Sequence, residues 1–194
     1  MTKKVKIIIS SVCAAVLLFI IILVSAISCN NKKSNDTPSE SSSSETGSSA
    51  ECTYLSFELT SDGSSYVVSN ITDATLTEIV VPSTYNGKSV TEIKKHAIYQ
   101  NSNITKIYLP ETITFIQGDA IMHNSSLTEI TLMNKNIHIG EDFLTFCTSI
   151  QTINYNGTQE EWNSVKKDRD WNYNTLQHNA YTIKCTDGDI KVNQ

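Results

Sequence analysis

A recurring pattern of apolar residues constrains the fold of this chain more than any other feature. The tetrapeptide LTEI begins at Leu76 and again at Leu127, and the related ITKI begins at Ile104 between them. The step from Ile104 to Leu127 equals the step from Leu127 to Ile150, which defines a 23-residue period. The step from Leu76 to Ile104 is longer by five residues, which fit the segment TYNGK, in which Asn-Gly is typical of a turn. The sequence therefore predicts successive units from about residues 76, 104, 127 and 150.

Equivalent positions within these units carry the same class of side chain. Apolar residues recur three, five, twelve, sixteen and seventeen residues after each start, once the TYNGK segment is discounted. They are Ile79, Ile107, Ile130 and Ile153; Val81, Leu109, Leu132 and Tyr155; Ile93, Ile116 and Ile139; Ala97, Ala120 and Phe143; and Ile98, Ile121 and Leu144. The alternation at the start of each unit predicts a short strand with one buried face. A period in the twenties is typical of a solenoid, in which each unit covers the apolar face of its neighbour.

Hairpin signals flank the repeat region on both sides. Residues 54–71 alternate apolar and polar side chains around Asp62-Gly63, which predicts a capping β-hairpin. Residues 180–192 predict two more short strands, joined at Asp187-Gly188. Both ends of the stack are therefore predicted to be closed by strands.

A short helix is predicted between the last unit and the final hairpin. Thr158 followed by Glu161 is the spacing of a capping box, and the helix would carry Trp162 and Val165. The predicted fold is mostly β: a short solenoid with a 23-residue period, an N-terminal hairpin cap and a C-terminal cap of helix plus hairpin.

The first part of the chain predicts membrane targeting. Lys3, Lys4 and Lys6 precede an uncharged apolar run from Ile7 to Ile27. As a helix, this run would extend roughly 31 Å at about 1.5 Å per residue, close to the hydrocarbon thickness of a bilayer. Residues 1–28 are therefore predicted to be a signal peptide or transmembrane segment.

Three interpretations of this segment remain open. The sequence SAISC is similar to a bacterial lipobox, in which Cys29 becomes the lipidated first residue of the mature chain. Alternatively, the apolar helix stays as an uncleaved anchor, or a secretory signal is removed and the cysteine is coincidental. All three place the remaining chain outside the cytoplasm, and the first two hold it at the extracellular face of the cell membrane, by lipid or by a single-pass helix.

Composition divides the remaining residues into two regions. Residues 29–50 are rich in serine, and from Ser34 to Ala50 they include no large apolar side chain. Such a segment cannot offset the entropy cost of ordering, so it is predicted to be a disordered tether. Residues 51–194 are predicted to form the repeat domain with its caps.

Charge and cysteine spacing exclude two classes of function. The formal net charge is −5 although residues 1–28 hold three lysines and no acid, so the rest is more acidic still. A nucleic-acid partner is therefore not expected, because phosphate recognition requires clustered Lys and Arg. The five cysteines form no CxxC pair, so neither a zinc site nor another cofactor is predicted; they are Cys13, Cys29, Cys52, Cys147 and Cys185.

No enzyme motif is recognisable in the sequence. It has no G-x-S-x-G, no HExxH and no phosphate-binding loop, and the four histidines do not fall at one repeat position. These histidines are His96, His123, His138 and His178, and we predict surface or turn positions for them. Asp187 and Asp189 are a weak match to a calcium loop and favour a hairpin turn instead. Trp162 and Trp171 are predicted to be core residues of the cap rather than sugar-stacking residues.

The repeat units resemble those of BspA-like leucine-rich repeat surface proteins. The segment from Ile104 to Ser126 matches the family pattern at its strand residues, at Pro110 and at Ala120, and the next unit matches at Cys147. The C-terminal segment is similar to the closing module of such proteins, with its N-G-T, tryptophan and C-T-D-G sequences. Departures occur at Ile121, His123 and Asn124, and at Asn134–Asn136.

The resemblance implies a leucine-rich repeat fold over residues 54–192, almost all of the part predicted to be ordered, and display at the cell surface. Adhesion, or binding of host and matrix proteins, is implied for some members of the family. It implies no catalytic residues, and it makes Cys147 a small buried hydrophobe of the stack. A disulfide between Cys52 and Cys185 is not expected, because they lie in opposite caps.

Solenoids usually bind partners on the outward face of their strand ladder, which gives the candidate site. The outward positions of the first three predicted strands are Glu78, Val80, Lys106, Tyr108, Glu129 and Thr131. Tyr108 beside Val80 is a plausible anchor, because aromatic residues are enriched at binding hot spots. The predicted partner is an extracellular protein or glycan, and the competing interpretation is a solvated sheet face on a structural envelope protein.

Overall fold

In the computed structural model, residues 54–172 and 180–193 are described. The predictions for residues 1–28 and 29–50, for Cys29, for Cys52 and for His178 lie outside these ranges. Within them, no helix is long and apolar enough to cross a membrane.

The described backbone consists of short strands and one helix. The strands are β1 (Leu55–Leu59), β2 (Tyr66–Ile71), β3 (Glu78–Val80), β4 (Thr84–Tyr85), β5 (Lys88–Ile93), β6 (Lys106–Leu109), β7 (Phe115–Ile116), β8 (Glu129–Leu132), β9 (His138–Ile139), β10 (Thr152–Tyr155), β11 (Lys166–Lys167), β12 (Tyr181–Cys185) and β13 (Gly188–Val192). The helix α1 is Gln159–Ser164.

The strands assemble into two sheets that run along the stack. The front sheet has the order β13-β12-β10-β8-β6-β3, and the back sheet has the order β1-β2-β5-β7-β9-β11. Neighbouring units pair in parallel in both sheets, and among the described strands only the hairpins β1-β2, β4-β5 and β12-β13 pair antiparallel. The predicted solenoid is therefore confirmed, with one unit following another along each sheet.

The register of the front sheet reproduces the sequence period. Ile79 lies beside Ile107, Ile107 beside Ile130, and Ile130 beside Ile153. All four side chains are buried, which confirms the predicted phase of the strands. Parallel neighbours in register give each apolar residue an identical or similar partner above and below it.

The back sheet was not predicted as a set of strands. Ile93, Ile116 and Ile139 occupy the position twelve residues into each unit, and they pair in register in β5, β7 and β9. The strands β7 and β9 are two residues long. A two-residue strand cannot show an alternating pattern, so these segments carry no strand signal of their own.

The residues that depart from the family pattern still preserve the regularity of the stack. Asn101, Asn124 and Cys147 form one buried column at 23-residue spacing. Asn124 Nδ2 donates to the Ile98 carbonyl oxygen (2.7 Å), and Cys147 Sγ donates to that of Ile121 (3.1 Å). Asparagine therefore supplies the donor that cysteine supplies in the next unit.

Cys147 is a buried free thiol, as predicted, and burial raises its pKa to about 12. The thiol is therefore un-ionised at neutral pH and stays inert. Cys185 is also a free thiol, half-buried in β12.

The five extra residues of the first unit form a hairpin arm rather than a plain loop. Strands β4 and β5 are joined by Asn86 and Gly87, which have φ angles of 46° and 76°. Two consecutive positive φ angles are typical of a type I′ turn, for which Asn-Gly is favoured. Tyr85 on this arm stacks on Phe57 of the N-terminal hairpin with ring centroids 4.1 Å apart. The arm therefore packs against the cap.

The predicted C-terminal cap is confirmed in both of its parts. Thr158 accepts a hydrogen bond from the Glu161 amide, and the Glu161 carboxylate accepts one from the Thr158 amide (2.7 Å), which completes the capping box of α1. The hairpin β12-β13 extends the front sheet through β10. Trp162 is buried and lies edge-on to Tyr155 and Trp171, as expected for a core residue of the cap.

Candidate binding surfaces

The predicted outward residues form two parallel columns on the front sheet. In the first column Glu78, Lys106 and Glu129 are register neighbours in β3, β6 and β8. In the second column Val80, Tyr108 and Thr131 are neighbours on the same strands. We call these six residues the front ladder. Each alternates with a buried isoleucine, so the side chains of the ladder lie on the outer face of the sheet.

Polar contacts link the rungs of the front ladder. Lys106 Nζ lies 3.7 Å from Glu78 Oε1. Further along, Asn154 Nδ2 donates to Glu129 Oε1 (2.9 Å) and lies 3.3 Å from Thr131 Oγ1. These contacts orient the side chains of neighbouring strands relative to one another. The Lys106–Glu78 pair is exposed, and ion pairs of this kind contribute little to the free energy of unfolding. The surface is consequently ordered and still accessible to a partner.

Tyr108 is the aromatic residue of the front ladder. Its side chain is half-buried, and burial, together with the charge of Glu111, raises the pKa of its phenol. The phenol is therefore neutral at physiological pH and can donate a hydrogen bond. A half-buried tyrosine, which combines an apolar ring with a hydroxyl that can hydrogen-bond, is typical of protein interfaces.

A second column of side chains lies on the turns that follow the back-sheet strands. Tyr99, His123 and Phe146 occupy successive turns, and we call them the turn-edge ladder. The centroids of His123 and Phe146 are 4.3 Å apart with the rings inclined at 23°, and the Tyr99 and His123 rings meet edge to face at 5.5 Å. Tyr99 and Phe146 are exposed by 39% and 47%. This surface was missed in the sequence, although His123 and Phe146 are separated by one full repeat period.

The histidines lie at turns and on the surface within the described chain. His96 and His123 do not contact one another in a ring pair but flank Tyr99, with His96 at 4.8 Å from it. His138 lies on the outer side of the back sheet, where it stacks on Phe115 (4.6 Å) and its Nε2 lies 2.9 Å from Asp168 Oδ1.

The aspartates of the final hairpin have structural partners. Asp187 Oδ1 accepts a hydrogen bond from the Gln159 amide at the start of α1 (2.8 Å), and Asp189 lies 3.7 Å from Lys191 Nζ. Asp187 therefore joins the hairpin to the helix. Across residues 54–172 and 180–193, no group of three or more potential metal ligands comes together.

The two parallel sheets, the 23-residue period and the exposed strand ladder define a leucine-rich repeat protein. Residues 65–165 match the family model described as BspA type leucine rich repeat region (6 copies). The chain belongs to this family, as the resemblance of its units predicts. The family consists of repeat scaffolds, so the membership of this chain in it is consistent with a protein-binding repeat module.

Solved structures of bacterial leucine-rich repeat proteins are similar to this chain. A leucine-rich repeat protein from Bacteroides capillosus shows the same fold, with 19% identity and a TM-score of 0.51 over 68% of this chain and 94% of that one. The leucine-rich repeat protein of T. pallidum has 18% identity and a TM-score of 0.45, over 61% of this chain and 63% of that one. A third, from Bacteroides ovatus, has 19% identity and a TM-score of 0.46, over 59% of this chain and 32% of that one. No curated protein matches the chain.

Proposed function

We propose that this chain is a membrane-tethered extracellular module that binds a protein partner through the front ladder and has no catalytic activity. The observation that carries the proposal is the register of six outward side chains over β3, β6 and β8. A rigid parallel ladder presents these groups at fixed spacing, so binding requires little further ordering of the surface.

The composition of the front ladder favours a protein partner over a highly charged polymer. Glu78, Lys106 and Glu129 alternate in sign, so the column has no strong field of a single sign. Val80 beside Tyr108 adds an apolar and aromatic centre, and such a centre with a polar rim is the usual anatomy of a protein interface.

Binding is tested with the full-length chain in detergent against a panel of purified extracellular-matrix proteins. The variant Tyr108→Ala with Glu129→Lys is expected to lose capture of the bound protein while its free energy of unfolding changes by no more than about 0.5–1 kcal/mol, because both changes are at the surface. A control, Leu59→Ala with Glu160→Lys, removes an exposed apolar side chain and reverses an exposed acid outside the front ladder. Because Glu160 lies in the first turn of α1, the free energy of unfolding of the control is measured as well.

Two results would contradict the binding proposal. Capture that is unchanged in the front-ladder variant and lost in the control would move the site elsewhere. If the chain captures no protein of the panel but binds a glycan on an array, and Tyr108→Ala abolishes that binding, the partner is a carbohydrate.

Tethering is proposed to occur through lipid on Cys29, because the apolar run of residues 7–27 ends just before it in SAISC. Mass spectrometry of the mature N-terminus is expected to find a lipidated Cys29. The variant Cys29→Ala should lose the lipid and change its detergent partitioning. If the unaltered chain retains Lys3, Lys4 and Lys6 and the variant partitions as before, the apolar run itself is the anchor.

A further inference from the structure

The turn-edge ladder is built on an unusual backbone. Each of its three turns has two residues with positive φ. The first directly precedes the buried alanine or phenylalanine: His96 (60°), Asp119 (57°) and Asp142 (52°). The second lies at the end of the turn: Gln100 (54°), His123 (60°) and Phe146 (59°). Glycine and asparagine adopt this conformation at least cost, whereas a phenyl ring there is uncommon.

Packing does not account for the ring of Phe146 at the second position, because it leaves nearly half of its surface exposed, at 47%. Tyr99 directly precedes Gln100, which has the positive φ angle in its turn, and leaves 39% exposed. The buried apolar side chains of the same turns are Ile98, Ile121 and Leu144, which are fully covered. A strained backbone that carries an exposed ring is better explained by recognition than by stability.

Backbone hydrogen bonds fix the geometry of the turn-edge ladder. The Gln100 amide donates to the Met122 carbonyl (3.2 Å), and the His123 amide donates to that of Thr145 (2.9 Å). Successive turns are thus tied together at each rung. The rings are held in place before any partner arrives, which lowers the entropy cost of binding.

Carboxylates lie on the same turns as the rings. Asp119 and Asp142 each precede a ring of the ladder, His123 and Phe146, by four residues. Asp142 Oδ1 accepts a hydrogen bond from Thr145 Oγ1 (2.8 Å), and the side chain is half-exposed. The side chain of Glu141 lies over Gly118, between these two turns.

One lysine partly balances these acids. Lys95 Nζ lies 2.6 Å from Asp119 Oδ2, and this partner raises the pKa of Lys95, with smaller contributions from Glu141 and Asp142. Three carboxylates therefore act on a single ammonium group. The negative potential of this edge complements a cationic ligand.

We propose that the turn-edge ladder, with the carboxylates of Asp119, Glu141 and Asp142, binds an arginine-bearing segment of a protein partner. A guanidinium group is planar, packs on aromatic rings and pairs with a carboxylate through two parallel hydrogen bonds, so it uses both features of the edge. A lysine ammonium can also lie over a ring, but it is a point charge that neither stacks as a plane nor pairs with a carboxylate through two parallel hydrogen bonds. This surface is separate from the front ladder and does not depend on it.

The test titrates an oligo-arginine peptide into the full-length chain in detergent micelles and measures heat of binding. The variant Tyr99→Asn with Phe146→Asn removes two rings without changing the net charge. It is expected to bind the peptide about tenfold more weakly, at roughly 2–5-fold for each cation–ring contact. Leu59→Asn, which removes another exposed apolar side chain, is the matched control and should bind as the parent chain does.

Comparison peptides separate ring recognition from simple charge attraction. Oligo-lysine is expected to bind more weakly than oligo-arginine and to be less sensitive to the ring variant. Equal binding of both peptides that survives removal of the rings would overturn the proposal, since charge alone would explain it. Binding of a soluble oligosaccharide that needs the rings, with no binding of oligo-arginine, would also overturn it.

A stability measurement tests whether the Phe146 ring serves the packing of the fold instead of binding. Phe146→Asn places a residue that tolerates positive φ at this position, so its thermal unfolding midpoint is expected to equal or exceed that of the parent chain. A clear drop in the midpoint would assign the ring to packing of the fold and overturn its role in binding.

Discussion

A single position in each turn shows how two chemically different residues can perform the same task. Asn124 Oδ1 accepts a hydrogen bond from the Asn101 amide (3.1 Å), and its Nδ2 donates to the Ile98 carbonyl. In the next unit the sulfur of Cys147 accepts from the Asn124 amide and donates to the Ile121 carbonyl. Each side chain thus satisfies one buried amide and one buried carbonyl of the adjacent turns, groups that are costly to leave unpaired.

Replacing Asn124 tests this equivalence. Asn124→Ala leaves the Asn101 amide and the Ile98 carbonyl without partners, so the free energy of unfolding is expected to fall by about 2–4 kcal/mol. Asn124→Cys restores a donor and an acceptor and is expected to recover more than half of that loss. Denaturant unfolding of the full-length variants measures both changes, and the exposed neighbour Ser125→Ala provides a control with little effect. If the cysteine variant is as unstable as the alanine variant, the two residues are not equivalent.

Asparagine also replaces the proline-led turn of one unit. Asn134 Oδ1 accepts from the Asn136 amide (2.8 Å), and Asn134 Nδ2 donates to the Ile113 carbonyl of the preceding unit (2.9 Å). The side chain therefore fixes a local turn and links two units, which are tasks that proline cannot perform because its side chain has neither an acceptor nor a donor. The unit keeps its register despite the change of sequence.

At the scale of elements, the hairpins β1-β2 and β12-β13 end the sheets, because β1 and β13 are edge strands that pair on one side only. The helix α1 has only six residues, so its stability depends on its caps and on burial of Trp162. Its first turn is satisfied by Thr158 and also by Asp187 of the β12-β13 turn. The helix and the final hairpin consequently stabilise one another.

Removing the helix cap should weaken the C-terminal end of the stack. Thr158→Ala eliminates the side-chain acceptor for the Glu161 amide, and the expected loss is about 0.5–2 kcal/mol of unfolding free energy. Thr158→Ser keeps the hydroxyl and should lose much less. Hydrogen exchange of the α1 amides measures the effect locally. Equal protection in the alanine variant and the parent chain would show that Asp187 alone holds this end of the helix.

The sequence predicted strands long enough to show alternating side chains and missed the two-residue strands, although their isoleucines recur with the repeat. Four residues such as those of β6 or β8 show an alternation of buried and exposed side chains, and the Thr158–Glu161 spacing specifies a helix start. The strands β7 and β9 each have two residues, so their pairing depends on contacts between units that lie far apart in sequence. Long-range contacts of that kind leave no local signal.

The candidate sites divide in the same way. The positions of the front ladder followed from the strand period, because outward residues alternate with buried isoleucines. The turn-edge ladder did not follow, because Tyr99 lies one position earlier in its turn than His123 and Phe146 do in theirs. The ring contacts of all three residues, with the positive φ angles of His123 and Phe146, identify it as a column.

At the scale of the whole molecule, the repeat domain is a one-dimensional stack. Each unit contacts the unit before it and the unit after it through both sheets and through the turn edge. In such a stack the total stability is close to a sum of unit and interface contributions. The effect of removing a unit can therefore be anticipated from the residues that would become neighbours.

Deletion of residues 104–126 removes one complete unit and joins Asn103 to Leu127. The shortened chain is expected to fold cooperatively between its two caps, with a lower melting temperature because one interface is gone. In the new stack β3 would pair with β8, and the Asn101 amide would face the sulfur of Cys147, as the Asn124 amide now does. The cost specific to the junction is Glu78 beside Glu129, two like charges on adjacent strands. Adding Glu129→Lys should recover about 0.2–1 kcal/mol by recreating the pair that Glu78 now forms with Lys106.

A half-unit deletion is the control for this experiment. Removing residues 104–115 joins Asn103 to Ile116 and places the back-sheet residue of one unit where a front-sheet strand should begin. Apolar faces would then lie opposite turns, so the product is expected to aggregate or to melt without cooperativity. Thermal unfolding of the purified full-length variants by circular dichroism distinguishes the two deletions. The opposite result, in which the half-unit variant melts cooperatively and the full-unit variant does not, would contradict this period. It would show that the step from Ile104 to Leu127 does not set the register in which the buried isoleucines of neighbouring units lie beside one another.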